Sequence, residues 1–107
     1  MITTDKIAVV ILNWNGCDMM RQFLPSVVKG SQPEGCVIVA DNGSTDESLK
    51  MLTEEFLEVI QLPLPKNYGF AEGYNQALQQ IDAPYYLLLN SDVEVTEGWL
   101  RPLLHYM

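Results

Sequence analysis

Four short polar clusters hold nearly all the groups in this 107-residue chain that could do chemistry. They are Asn13–Trp14–Asn15–Gly16, Asp41–Asn42–Gly43–Ser44–Thr45–Asp46, Asn67–Tyr68–Gly69–Phe70 and Asn90–Ser91–Asp92. Side chains of this kind hydrogen-bond to bases and sugars, and carboxylates are the hard oxygen ligands that Mg2+ and Mn2+ prefer. The glycines let a backbone approach a ligand closely. Other chemistries lack their residues. His105 is the single histidine, near the end of the chain, and takes no role. Cys17 and Cys36 have no metal-ligand spacing and read as reduced thiols. Asn13–Gly16 supplies one glycine where a dinucleotide-binding loop needs three. Asn13 and Asn15 also stand where a phospho-acceptor receiver domain would carry an acidic pair.

The elements that must position these clusters alternate regularly. Ile7–Leu12, Cys36–Ala40, Leu57–Leu62 and Tyr85–Leu89 read as strands, the first two as continuous apolar runs covered on both faces. Between them lie helical patterns. Cys17–Val28 carries Met20, Phe23, Leu24 and Val27, with Pro25 expected to kink or break it. Ser44 and Glu47 have capping-box spacing before Leu49, Leu52 and Phe56. Phe70, Tyr74, Ala77, Leu78 and Ile81 mark a third helix, and Thr96 an N-cap for a last one with Trp99, Leu103 and Leu104. Such alternation predicts an α/β fold with a mainly parallel sheet and right-handed crossovers. Every polar cluster then follows a strand, at the carboxyl edge where open α/β sheets bind ligands.

Composition narrows the ligand. Apolar residues make up 48% of the chain, enough for a core. Fourteen acidic against six basic residues give a net charge of −8, which argues against nucleic acid as a partner. An anionic ligand must therefore be held by backbone amides, a helix N-terminus or a metal. No apolar run approaches the ~20 residues of a membrane span. A cytoplasmic location, including the inner face of the membrane, is expected.

Asn-Trp-Asn-Gly, Asp-Asn-Gly-Ser-Thr-Asp, Asn67-Tyr-Gly-Phe-Ala-Glu-Gly-Tyr-Asn75 and Leu-Leu-Leu-Asn90-Ser-Asp92 stand in this order over essentially the whole chain. The set resembles the family-2-type glycosyltransferases, and more narrowly their rhamnosyltransferase-like branch. The resemblance implies a GT-A fold, here as a Rossmann-like three-layer sandwich with strand order 3-2-1-4. It implies a nucleotide-diphosphate sugar donor of UDP or dTDP type, a divalent metal (Mn2+ or Mg2+) and transfer with inversion, as in cell-surface polysaccharide synthesis.

Residue by residue, the resemblance places the base-reading acid at Asp41. A carboxylate there accepts from the imide N–H of uracil or thymine, whereas cytosine offers an acceptor instead. Asp41 can equally order the turn into Gly43. Asn13, Asn15 and Asn42 join the nucleotide-binding set, with Trp14 as pocket wall or core. Ser44, Thr45 and Asp46 read as helix caps. Asn67, Gly69, Gly73 and Asn75 surround a helix start facing the diphosphate or sugar. Lys66 reads as a solvated charge. Asp92 ends the family's Asp-x-Asp signature and is the metal ligand. Asn90, at its first position, departs from the signature and keeps only hydrogen bonding to sugar.

The family's catalytic base is an acidic residue well downstream, and Glu94 and Glu97 stand too close to Asp92 to replace it. Residues 1–107 are therefore expected to be the N-terminal, donor-binding half of a glycosyltransferase domain, with the base beyond residue 107. The alternative is a non-catalytic nucleotide-sugar-binding fragment. Its partners would be the donor and a saccharide or lipid-linked acceptor. Self-association through Tyr85–Leu89 or the last helix is also expected.

Overall fold

The computed structural model describes residues 1–96 and 98–102. Its strands are β1 (Ile2–Thr3), β2 (Ile7–Asn13), β3 (Gly35–Asp41), β4 (Ile60–Pro63), β5 (Ile81–Asp82) and β6 (Tyr85–Leu89). Its helices are α1 (Cys17–Ser31), α2 (Ser48–Glu55) and α3 (Phe70–Leu78). Four strands form one parallel sheet in the order β4-β3-β2-β6, the expected 3-2-1-4 arrangement. The ladder between β2 and β3 runs from Ile7 opposite Gly35 to Asn13 opposite Asp41. On the other side β2 pairs with β6, Ile7 with Tyr85 through Ile11 with Leu89.

Strand alternation divides the core into two layers. Ile7, Val9 and Ile11 pack with Met20, Leu24 and Val27 of α1 and with Met51 and Leu52 of α2. Ala8 and Val10 face the other way, onto Tyr74 and Ala77 of α3. Because both faces are covered, β2 and β3 must be apolar at nearly every position, which is why they read as continuous runs. The result is a three-layer sandwich.

Several elements differ from expectation. The third strand starts at Ile60 rather than Leu57, whose side chain is 82% exposed. Phe56 closes α2 through its N–H to the Leu52 carbonyl, and the chain turns before pairing resumes. Helix α3 stops at Leu78, and Ile81 joins β1 in a second, two-stranded parallel sheet. Its side chain still reaches the same apolar cluster as Tyr74 and Ala77, which accounts for the helical spacing. Helix α1 continues through Pro25 to Ser31. Proline removes the one bond to the Arg21 carbonyl, and both residues sit on the exposed side, where water can replace it. Phe70, expected on the inner stripe of α3, is 68% exposed at its first turn.

The segment after β6 returns across α1. The Val95 N–H donates to Ser26 Oγ at 3.2 Å, and Trp99 Nε1 donates to Ser31 Oγ at 3.0 Å. Leu100, which no spacing singled out, is fully buried beside Gly35, in the layer shared with α1. Arg101 pairs with Glu34 at 3.3 Å. Thr96 caps no helix among the described residues: residues 98–100 form a turn and helical backbone begins only at Arg101, while Glu97, Leu103, Leu104 and His105 lie outside the described residues.

Candidate functional site

Parallel pairing sets the ends of β2 and β3 side by side, and side chains stitch their loops together. Asn13 is fully buried. Its Nδ2 donates to Asp41 Oδ1 at 3.0 Å and to Ser44 Oγ at 3.2 Å, and its Oδ1 accepts the Gly16 N–H. Asp41, also buried, accepts the Ser44 hydroxyl on Oδ1 at 2.7 Å and the Ser44 N–H on Oδ2 at 3.0 Å. Asn15, in the left-handed region at φ 51°, accepts the Thr45 and Asp46 N–H groups on Oδ1. Asparagine tolerates that conformation better than most residues.

Ser44 is thus a clamp rather than a helix cap. Besides its bonds to Asp41, its hydroxyl accepts the Asn15 N–H at 2.8 Å. Helix α2 begins later, at Ser48, with Glu47 as an N-cap whose side chain makes no capping hydrogen bond. Asp46 does serve as a cap, for two helices. Its Oδ2 accepts the Cys17 N–H at the start of α1, and its Oδ1 accepts the Ser48 N–H and hydroxyl. Burial pushes the Asp46 carboxyl up, but these hydrogen bonds outweigh it and hold the group below its ordinary range. The neighbouring Cys17 thiol is pushed up by burial.

A second set of bonds ties the third loop to β3. Asn42 Nδ2 donates to Asn67 Oδ1 at 3.1 Å and to the Gly69 carbonyl at 2.9 Å, while Oδ1 accepts the Tyr68 N–H. Gly69, at φ +82°, is the N-cap of α3 and has open space where a side chain would point. Gly73 is a packing point. A Cβ there would stand 2.9 Å from both Asn42 Nδ2 and Leu12 Cδ2.

These loops frame a cleft of about 250 Å³ lined by Leu12, Trp14, Asn42, Asn67, Gly69 and Phe70. Trp14 is 55% exposed, so it is a wall and not core. Asn75 is exposed on α3 and does not line this cleft. A wider cleft of about 540 Å³ opens on the other side of the first loop, between Asn15, Asp18, Arg21 and Glu47. A third, of about 370 Å³, lies near Lys6 and Gly35 at the amino ends of the strands and contains none of the predicted site residues.

The fourth cluster is a tight turn at the end of β6. The Val93 N–H donates to the Asn90 carbonyl at 3.3 Å, and Asn90 and Asp92 are both exposed. Ser91 Oγ lies 3.7 Å from where a Cβ on Gly16 would stand, so this turn abuts the first loop. All four clusters therefore meet at one carboxyl edge. No group of three or more His, Cys, Asp or Glu that could hold a metal exists among the described residues. The turn offers one carboxylate as a hard oxygen donor, that of the exposed Asp92. That donor fits a Mg2+ or Mn2+ ion completing its shell with phosphate oxygens, and does not fit an ion held by protein alone.

Of the predicted residues, then, Asp41, Asn42, Asn67 and Gly69 gather around the first loop, with the Asn90–Asp92 turn beside it. Asn13 and Asn42 spend every side-chain donor on neighbouring loops, and Asn75 stands apart. Phe70 as a cleft wall and Ser44 as a clamp escaped sequence reasoning. Phe70 shared the helical stripe, and the spacing of Ser44 matched a cap.

Comparison with known proteins follows the same lines. Residues 8–107 match the model of glycosyl transferase family 2. The N-acetylglucosaminyl-diphospho-decaprenol L-rhamnosyltransferase of Mycobacterium tuberculosis is 28% identical over 112 residues, covering 94% of this chain and 36% of that protein. A crystal structure of S. aureus TarS in complex with UDP-GlcNAc shares the fold with a TM-score of 0.81 at 24% identity, over 94% of this chain and 30% of that one. A Pyrobaculum calidifontis mannosyltransferase in complex with GDP-Man and Mn2+ gives 0.72 at 18% identity, over 83% and 28%. The chain spans 13% to 41% of the length of the curated relatives it matches. The sheet order, the loops at its carboxyl edge and the family match agree: this is GT-A architecture, and the chain belongs to glycosyl transferase family 2.

Proposed function

We propose that this chain forms the donor-binding part of a glycosyltransferase that uses a uridine or thymidine diphosphate sugar. The acceptor would be a saccharide or lipid-linked hydroxyl in cell-surface polysaccharide synthesis, and the transfer would invert the anomeric carbon. One observation carries the reading. An aromatic-walled cleft opens at the same loops that bear Asp41, beside the turn that bears Asp92. In that cleft Trp14 and Phe70 offer faces on which a base can stack. Asp41 is almost fully buried behind the residues that line the cleft, and its Oδ2 receives one internal donor, which leaves one acceptor position for an imide N–H.

The exposed Asp92 would hold Mg2+ or Mn2+ together with the donor's diphosphate oxygens, and the ion would offset the charge of the leaving diphosphate. The Mn2+ in the mannosyltransferase complex supports a metal at this fold. Asn90 would hydrogen-bond the ribose or sugar. Asn13, Asn15 and Asn42 would act by holding the loops in place, and Asn67 and Gly69 by shaping the cleft. No helix of the described residues is long and apolar enough to cross a membrane.

Titration with UDP, dTDP and CDP, each with and without Mn2+, tests the reading. UDP and dTDP are expected to bind more tightly than CDP, and Mn2+ to strengthen binding in wild type but not in Asp92→Ala. Equal affinity for all three nucleotides would reject Asp41 as base reader. An Mn2+ effect that survives in Asp92→Ala would reject the metal role.

A further inference from the structure

Strand β6 pairs with β2 up to Leu89, opposite Ile11, and among the described residues no ladder guides the chain beyond that point. The position of the Asn90–Asp92 turn must then be set from outside the sheet. On the far side, Ser26 of α1 accepts the Val95 N–H. On the near side stands Tyr74. Its side chain is buried on α3, and its hydroxyl donates to the Leu89 carbonyl at 3.1 Å, immediately before Asn90. The same ring meets Phe70 edge to face, with centroids 5.2 Å apart and planes at 79°. Phe70 is a wall of the cleft, and Gly73, next to Tyr74, packs against Leu12 and Asn42. One turn of α3 thus touches the cleft wall, the loop stitching and the last carbonyl of β6.

We infer that Tyr74 is a positioning residue that fixes the Asn90–Asp92 turn relative to the aromatic cleft. The hydroxyl is the operative group. The ring alone would fill the core, but only the hydroxyl reaches the backbone leading into the turn. With it, a base between the aromatic walls and a diphosphate at Asp92 are held at one spacing. This rests on the reading that Asp92 acts with a divalent ion on the donor's diphosphate. Tyr86 is the natural comparison. Its hydroxyl donates to the Ile81 carbonyl at 2.7 Å, near the opposite end of β6.

The test uses Tyr74→Phe, which keeps the ring and its contact with Phe70. Metal-free UDP affinity is expected to stay within about twofold of wild type, while the strengthening by Mn2+ falls about fivefold, the scale of one hydrogen bond. Tyr86→Phe is expected to leave both unchanged. If Tyr74→Phe lowers both affinities in proportion, or leaves the Mn2+ effect intact, the inference is overturned. Amide hydrogen exchange of the nucleotide-free protein decides the matter independently of the functional reading. The Val93 amide, bonded to the Asn90 carbonyl, is expected to exchange faster in Tyr74→Phe while the β2 amides from Ile7 to Ile11, which lie before the Leu12 backbone that the Tyr74 hydroxyl also meets, do not. Unchanged exchange at Val93 overturns the inference even if UDP binds. Faster exchange in a protein that shows no Mn2+ effect upholds the positioning and sinks the metal reading alone.

Discussion

Asn13 and Asp41 face each other on the last rung of the β2–β3 ladder, and Asn13 Nδ2 donates to Asp41 Oδ1 at 3.0 Å. Both side chains are almost completely buried. A buried carboxyl must have its oxygens satisfied, and an asparagine opposite supplies a donor where an aspartate could not. The pair therefore ties strand pairing to the geometry of the site.

Asn13→Ala removes that donor, the bond to Ser44 Oγ and the acceptor of the Gly16 N–H together. The variant is expected to lose about 1–3 kcal/mol of stability, with Asp41 left under-satisfied. Asn13→Asp is expected to lose more, because two carboxyls would then share the site. Urea unfolding measures both. A change below ~0.5 kcal/mol for Asn13→Ala would mean that water or a loop shift replaces the bond.

Stability at acid pH should report on Asp46. Its folded-state carboxyl lies below the ordinary value of 3.8, so the unfolded chain takes up the proton more readily. Its contribution is present above that value and is lost as the pH falls through the lower, folded one. The stability advantage of wild type over Asp46→Asn is expected to shrink as the pH is lowered through and below the ordinary value of 3.8. Thermal unfolding across that range checks it. A constant difference would assign the caps of α1 and α2 to something other than the charged carboxylate.

The open edge of β6 should make the chain associate with itself. Among the described residues β6 pairs only with β2, and Tyr85, Tyr86 and Leu88 are 41%, 40% and 51% exposed. Such an edge is a template for strand pairing, and lysine on an edge strand opposes it. Sedimentation at micromolar concentration is expected to show oligomers for wild type and a shift toward monomer for Leu88→Lys. A wild-type monomer under those conditions would show that the edge is not adhesive.

The readable parts of the fold were those where a local pattern has one cause. Ile7–Leu12 and Cys36–Ala40 are apolar throughout because helices cover both faces, and their shortness, β-branched content and flanking polar turns separate them from a buried helix. The misread parts have local patterns with two causes. Ile81 keeps helical spacing with Ala77, yet it reaches the same core from a strand, because β1 pairs with it from across the chain. Ser44 keeps capping spacing to Glu47, yet Asn13 and Asp41 offer its hydroxyl better partners.

For the site, the chain's own order of strands and polar clusters was enough to gather Asn13, Asp41, Asn67 and Asp92 at one edge. Parallel strands joined by right-handed crossovers leave every such loop on the same side. What each side chain does there was decided by tertiary structure. Asn13 and Asn42 look like free ligand groups in sequence, but their partners lie 25 to 31 residues away and occupy them fully. Trp14 and Phe70 could each have been core, and only the packing of α3 against β2 left them facing an open cleft. Backbone periodicity is a property of neighbours along the chain. Hydrogen-bond partners and exposed aromatic faces depend on the distances between loops, which exist only once the sheet has set its register.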